Sequence, residues 1–267
     1  MVVVAEPVFA VSFRTVIVTG ANRGLGLALA KALTVEHAHI IVVARQSASV
    51  DQSLEKLCAD KSATLSFVVA DMSDVDSLAS KFASQVVPLV DVANSSELLF
   101  VQNAGVACTQ LCGTHTGSQI KDVMVVNSIA PLVLMDAFVR AFGDAPIDKR
   151  MLLIGSGAGR RAMSGWTAYG ASKAALDHMA RILKEEQTGR AHPIRVCSYG
   201  PGVVETDMQI AIRNTPADDI PVLKKLREMK ETGQVMSAER SAEVATNYFL
   251  LPTFGDDATE DVYNILK

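Results

Sequence analysis

Excess charge of one sign, cysteine in paired spacing and long uninterrupted apolar runs are all missing from this chain. Its 25 Lys and Arg against 29 Asp and Glu leave a formal net charge of −4, so it carries no basic footprint for nucleic acid. Four cysteines, Cys58, Cys108, Cys112 and Cys197, show no metal-ligand pattern. Cys108-x-x-x-Cys112 lacks a second pair, so no metal is expected. Reduced thiols in the cytoplasm fit them best. Every apolar run meets a charge or a turn residue before it reaches membrane-spanning length, and no membrane partner is expected. The apolar residues 1–13 include Glu6 and no basic leader, which argues against a secretory signal. The ending Asn264-Ile265-Leu266-Lys267 is not a peroxisomal address. Without repeats, low-complexity stretches or linkers, the chain offers no internal domain boundary.

What is present is apolar sequence in two alternating patterns. Hydrophobic residues make up 49% of 267, enough for one sizeable core. Val16-Ile17-Val18 reads as a buried strand, and Leu25, Ala28, Leu29, Ala32 and Leu33 line one face of a helix. Strands are predicted near residues 14–19, 39–44, 65–70, 98–101, 150–155 and 194–199, with a short last one near 261–266. Helices fill the intervals. That alternation predicts an α/β fold, a three-layer, doubly wound parallel sheet in one domain over residues 1–267. Residues 1–13 form an N-terminal extension. Residues 203–233, with Pro216, Pro221 and the charged stretch 224–230, contain a loop and helix inserted before the last helix.

Two motifs carry chemistry. Gly20-Ala21-Asn22-Arg23-Gly24-Leu25-Gly26 joins the first strand to the first helix. Its glycines permit a tight turn and close approach of backbone to a phosphate, while a helix N-terminus offers unpaired N–H groups to negative charge. Tyr169 and Lys173 stand four residues apart in a segment of helical spacing, so both point to one side. An ordinary phenol has a pKa of about 10, too high for ready proton exchange near neutrality. An ammonium roughly 5 Å away, at an effective dielectric of about 20, would favour the phenolate by about 3 kcal/mol, on the order of two pKa units before desolvation. Ser156 follows the apolar run Met151-Leu152-Leu153-Ile154 and completes the set.

The Gly-x-x-x-Gly-x-Gly turn, Ser156, Tyr169 and Lys173 make the chain resemble the short-chain dehydrogenase/reductase family over nearly its whole length. Gly165-Trp166 and Thr206-Asp207-Met208-Gln209 after Pro201-Gly202 are similar to the sepiapterin reductase branch and its relatives that reduce benzil and other diketones. The resemblance implies a Rossmann fold and an oxidoreductase in which Tyr169 is the general acid. Lys173 tunes it and binds the nicotinamide ribose, Ser156 bonds the substrate oxygen, and Asn127 links the lysine to solvent. It also implies cofactor contacts from Gly20, Asn22, Arg23, Gly24, Leu25 and Gly26. Further contacts come from Asp71 and Met72, from Asn103, Ala104 and Gly105 (with Gln102 in place of the family's first asparagine), and from Pro201, Gly202, Val204 and Thr206. Residues 203–233 would cover the substrate, and the hydride would be the pro-S one. Asp71 could equally cap a helix, and Asn127 could be an ordinary hydrogen-bonded helix residue.

Cofactor choice is read at the second strand, which ends in Arg45 rather than in an acidic residue suited to a ribose 2′-hydroxyl. Arg45 and Arg23 converging on a 2′-phosphate would favour NADPH over NADH by at least about tenfold, unless both are merely solvated. Trp166 and Met208 could wall a pocket for a flat or aromatic dicarbonyl, or belong to the core. Sepiapterin reductases use a C-terminal aspartate to recognise the pterin, and Asn264 stands in the matching tail, which lowers a pterin substrate and raises a broader carbonyl or diketone reductase. The expectation is an NADPH-dependent carbonyl reductase with a small-molecule carbonyl substrate. Sepiapterin reductase proper, or a non-catalytic NADPH-sensing module, are the alternatives. The two long helices, near 119–142 and 167–187, would pair copies into a homodimer or homotetramer.

Overall fold

The computed structural model describes residues 13–45, 51–216 and 220–267. Seven strands form one sheet: β1 (Phe13–Thr19), β2 (His39–Ala44), β3 (Thr64–Val69), β4 (Ser95–Gln102), β5 (Asp148–Ile154), β6 (Ile194–Gly200) and β7 (Thr259–Asp261). Their order is β3-β2-β1-β4-β5-β6-β7, and every pairing is parallel. The order reverses beside β1, where Val16 pairs with Ile40 on one side and Leu99 on the other. Such a switch opens a crevice at the C-terminal ends of the strands.

Both faces of the sheet are covered, which is why its strands read as continuous apolar runs. One core layer holds Val16, Val18, Leu99, Val101 and Leu152 against α1 (Gly24–Leu33) and α9 (Ala238–Phe249). The other holds Ile17, Leu98, Phe100, Met151 and Leu153 against α3 (Val75–Lys81), α5 (Ala130–Phe142) and α6 (Thr167–Gln187). Alternate residues of β4 and β5 thus face opposite layers, the period of two that a pleated strand imposes. Phe100 stacks on Phe138 with centroids 5.2 Å apart. α2 (Gln52–Asp60) flanks the β2 side of the sheet, opening at Asp51, whose carboxylate accepts from Ser53 N.

The apolar run ahead of β5 is one continuous stretch, α4 (Gly117–Met124), a π turn (Val125–Ile129) and α5. A capping box, Thr116 with Gln119, starts it. At 26 residues, with an 18-residue window of mean hydropathy 1.7, it is long and apolar enough to cross a membrane. Half of that window is buried in the fold, and the helix buries Leu134, Met135 and Phe138.

Two expected boundaries move. The last strand covers only Thr259–Asp261, because the Asp261 carboxylate accepts from Tyr263 N at 3.1 Å and turns the chain into α10 (Val262–Ile265). Residues 203–233 hold two helices, α7 (Asp207–Arg213) and α8 (Pro221–Glu231), rather than one. The residues of the N-terminal extension before Phe13 lie outside the described ones.

Candidate active site

The crevice starts at the glycine turn. Thr19, at the end of β1, accepts through Oγ1 from the backbone N–H of Asn103 and Ala104 at 3.0 and 3.1 Å. Asn103 Nδ2 returns bonds to the carbonyls of Thr19 and Gly20 at 3.0 and 3.2 Å. The turn and the loop after β4 are therefore one braced unit. Gly20 holds φ at +68°, a conformation that suits glycine. At Gly26 a Cβ would stand 2.4 Å from both Asn103 Nδ2 and the Gly20 carbonyl oxygen. Arg23 makes no side-chain cap on α1, and the first turn has no acidic residue. The first N–H groups of α1, at Gly24, Leu25 and Gly26, are thus left without a side-chain cap, an arrangement suited to a phosphate. Asn22 sits half-buried in this turn.

The two arginines have separate partners. Arg23 donates to Asp207 at 2.7 Å, with both side chains about two-thirds exposed. Arg45, exposed at the end of β2, acts electrostatically on Asp71. Each cation thus faces a carboxylate. Exposed pairs of this kind contribute only about 0–1 kcal/mol, so a phosphate could displace either. Asp71 itself accepts from Ser73 N at 2.9 Å, and that bond, first among its surroundings, holds its carboxyl below the usual range. The next residue, Met72, is buried in the core, which leaves its backbone for any ligand.

Across the crevice, β5 delivers Ser156 and α6 delivers Tyr169 and Lys173. Ser156 accepts from Ala158 N at 3.2 Å, capping a 3-10 turn (Gly157–Gly159), and its hydroxyl acts electrostatically on the Tyr169 phenol. Lys173 Nζ lies 5.9 Å from the Tyr169 ring centroid and donates to the Ile154 carbonyl at 2.8 Å. The three groups share one site, as the helical period requires. The electrostatics differ from expectation. Burial raises the Tyr169 phenol above its ordinary value, against the smaller pull of the Ser156 hydroxyl. Burial also lowers Lys173 to about 8. Desolvation outweighs attraction here because Lys173 is buried and Tyr169 half-buried against Trp166, and the ammonium spends a donor on Ile154.

Asn127 lies in the π turn, a break in helical register frequent at functional sites. Its Oδ1 accepts from Val106 N at 2.8 Å, and its Nδ2 donates to Val106 O and Ser172 Oγ at 2.8 and 3.1 Å. It ties the β4 loop to α6. Gly105 is the contact: a Cβ there would lie 3.2 Å from Asn127 Oδ1 and 3.7 Å from Lys173 Nζ.

An apolar wall completes the site. Trp166 packs edge-on against Tyr169 at 5.4 Å and donates its indole N–H to Thr109 Oγ1 at 3.0 Å. Around them cluster Met163, Val203, Met208, Ile212, Ile220 and Leu223, so residues 203–233 pack onto the Trp166–Tyr169 corner. Val204 is buried and pairs with Met236. Thr206 caps α7 by accepting from Gln209 N at 3.4 Å. The Pro201–Gly202 segment is backed by the C-terminal tail, Tyr263 OH lying 3.4 Å from Val203 N. Asn264 is exposed and donates to Glu260 at 2.9 Å. The tail carboxylate turned toward the sheet is Asp261, 3.8 Å from Arg160.

Sequence reasoning missed one cluster. Asp177, one turn beyond Lys173, is buried and paired with the half-buried Arg160, four residues after Ser156. The repeat of four from Tyr169 through Lys173 to Asp177 was its only signal.

Comparison with known proteins agrees with this geometry. The family described as short chain dehydrogenase matches residues 14–217. A benzil reductase ((S)-benzoin forming) of Bacillus cereus is 30% identical over 88% of this chain and 93% of its own. The sepiapterin reductase of Rattus norvegicus is 27% identical over 93% and 96%. Among solved structures, a putative 2-deoxy-d-gluconate 3-dehydrogenase from Agrobacterium tumefaciens with bound NADP superposes with a TM-score of 0.74 over 96% of this chain and 97% of that one, at 22% identity, which bears on the fold alone. With a parallel sheet in this order, a glycine turn at its switch and Ser156, Tyr169 and Lys173 together, the chain belongs to the short chain dehydrogenase family of oxidoreductases.

Proposed function

We propose that this protein is an NADPH-dependent carbonyl reductase acting on an apolar or aromatic dicarbonyl, with Tyr169 as general acid. The observation that carries this reading is the Ser156–Tyr169 hydroxyl pair with Lys173 beneath the ring, set beside a glycine turn shaped for a phosphate. The glycine turn and the ends of β4 and β6 would hold NADPH, which would supply the hydride. The residues of the chain do the rest. Ser156 and Tyr169 donate hydrogen bonds to the carbonyl oxygen as negative charge develops on it, and Tyr169 gives up its proton there. Lys173 supports the charge left on the phenolate and binds the nicotinamide ribose. The Trp166 corner and Met208 exclude water and favour a flat apolar substrate. The names of the Bacillus and Rattus relatives support a diketone or a side-chain ketone of a pterin.

A panel of vicinal diketones, aromatic ketones, quinones and sepiapterin, read by loss of NADPH absorbance, tests the reading. Turnover with a diketone is expected. Tight NADPH binding with no turnover across the panel would favour the sensing module instead. The pH dependence is set by groups that must hold their protons. Reduction needs a protonated Tyr169 and a charged Lys173, and Lys173 loses its charge as pH rises through about 8. Below that, kcat/KM for reduction is expected to be level, and above it to fall.

Arg45 and Arg23 would take the 2′-phosphate, releasing Asp71 and Asp207. Arg45→Asp is expected to lower the preference for NADPH over NADH by at least about tenfold, measured as the ratio of kcat/KM for the two cofactors. Exposed Ile129 and Leu132 on one long helix and Ile182 on the other suit pairing of copies into a homodimer or homotetramer. The four free thiols suit the cytoplasm.

A further inference from the structure

The face of α6 that carries Tyr169 and Lys173 continues one turn to Asp177, and what Asp177 touches comes from the elements that frame the site. Its carboxylate, 2% exposed, accepts from Arg160 Nε at 2.8 Å and Arg160 Nη2 at 3.1 Å. Ser198 Oγ, on β6, donates to it at 2.6 Å. Arg160 leaves the turn that Ser156 caps and also donates to the carbonyls of Ser198 and Glu260, each at 2.7 Å. Gly155 lies against the cluster, since a Cβ there would stand 2.5 Å from Ser198 Oγ and 3.4 Å from Asp177 Oδ1. Lys173 bonds the carbonyl of the preceding residue, Ile154. The peptide joining β5 to Ser156 is thus held by Lys173 at one end and packed on Asp177 at the other.

A buried ion pair is a poor source of stability, because well-packed apolar residues often do as well. Its value here lies in charge. Lys173 is 5% exposed, and burial alone favours the neutral amine. We propose that Asp177 and Arg160 are positioning residues of this active site, Asp177 holding Lys173 as an ammonium under Tyr169 and Arg160 limiting how strongly it does so. The inference rests on the reductase reading for its catalytic meaning.

The groups that face the pair are few. From α6 they are Tyr169 and Lys173. From the Ser156 turn comes Arg160, from β6 the Cys197 thiol, pushed up to about 12 by burial, and from β7 Glu260 and Asp261. Among them, Asp177 is the group that pulls Lys173 toward its charged form. With Asp177 neutral, Lys173 would face Arg160 as an uncompensated like charge. With Arg160 neutral, Asp177 would act on Lys173 unopposed.

The two substitutions therefore have opposite signs. In Asp177→Asn, the titration of Lys173 is expected to move down by about one pH unit, and the alkaline limb of kcat/KM with it, a tenfold loss between the two limbs. In Arg160→Gln both are expected to move up. Lys173 can be titrated without turnover by carbon-13 NMR of labelled lysine, its signal identified by absence in Lys173→Met. A purely structural role would lower the melting temperature of both variants and leave the titration in place. No movement in either variant, or movement of both in one direction, overturns the proposal. Should Asp177→Asn not fold, the upward shift in Arg160→Gln decides alone, and its absence overturns the proposal. If wild type turns over no carbonyl, the reductase reading fails while the NMR titration still decides whether Asp177 sets the charge of Lys173.

Discussion

Tyr169→Phe is expected to lower kcat for carbonyl reduction by roughly 10²- to 10⁴-fold while NADPH binding and melting temperature stay near wild type. The substitution removes one oxygen and little else. The ring keeps its edge-on contact with Trp166 at 5.4 Å and its place over Lys173. Ser156 keeps its bond from Ala158 N, so the turn that presents it stays closed. What goes is the proton donor and one of the two hydroxyls facing the carbonyl oxygen. Steady-state rates, a fluorescence titration with NADPH and a thermal melt separate these effects. A wild-type rate in this variant would remove Tyr169 as the acid.

Gly26→Ala is expected to weaken NADPH binding by at least about tenfold and to cost about 1–3 kcal/mol of stability. The new methyl would meet the Gly20 carbonyl oxygen and Asn103 Nδ2, each at 2.4 Å. Neither can yield cheaply. Gly20 is backbone within the turn, and Asn103 Nδ2 is the brace between that turn and the loop after β4. Relieving the contact would move the first N–H groups of α1 away from a phosphate. Gly117→Ala is the control, because a Cβ there meets nothing within 4 Å and helix propensity favours alanine. Its melting temperature is expected to hold or rise. Unchanged NADPH affinity in Gly26→Ala would mean that the turn does not carry the phosphate.

The sheet was legible because its strands are buried on both faces and spell themselves as apolar runs, as Ile40-Ile41-Val42-Val43 does. Tyr169 and Lys173 were legible because a helix fixes the direction of residues four apart. Burial was not. Spacing places the ammonium near the phenol, but only the packing of Trp166, Tyr169 and the Ser156 turn shows that desolvation dominates. Long-range pairing was hidden too. Arg23 finds Asp207 across the whole middle of the chain, and the partners of Asp177 come from two other elements, the Ser156 turn and β6. At the tail, a strand-like Asp261-Val262-Tyr263 became a helical turn through one Asx cap. The two helices of residues 203–233 blurred into one because α7 is barely two turns long.

Strand order also sets when this polypeptide can fold during synthesis. β1 pairs with β2 soon after both leave the ribosome, but its other edge waits for β4, as Val16 waits for Leu99. Until then Val16-Ile17-Val18 presents an open apolar edge of the sort that recruits other nascent chains. Assembly by such distant parallel contacts is slow, so yield in heterologous expression is expected to depend on temperature and chaperone supply more than on the final stability of the fold.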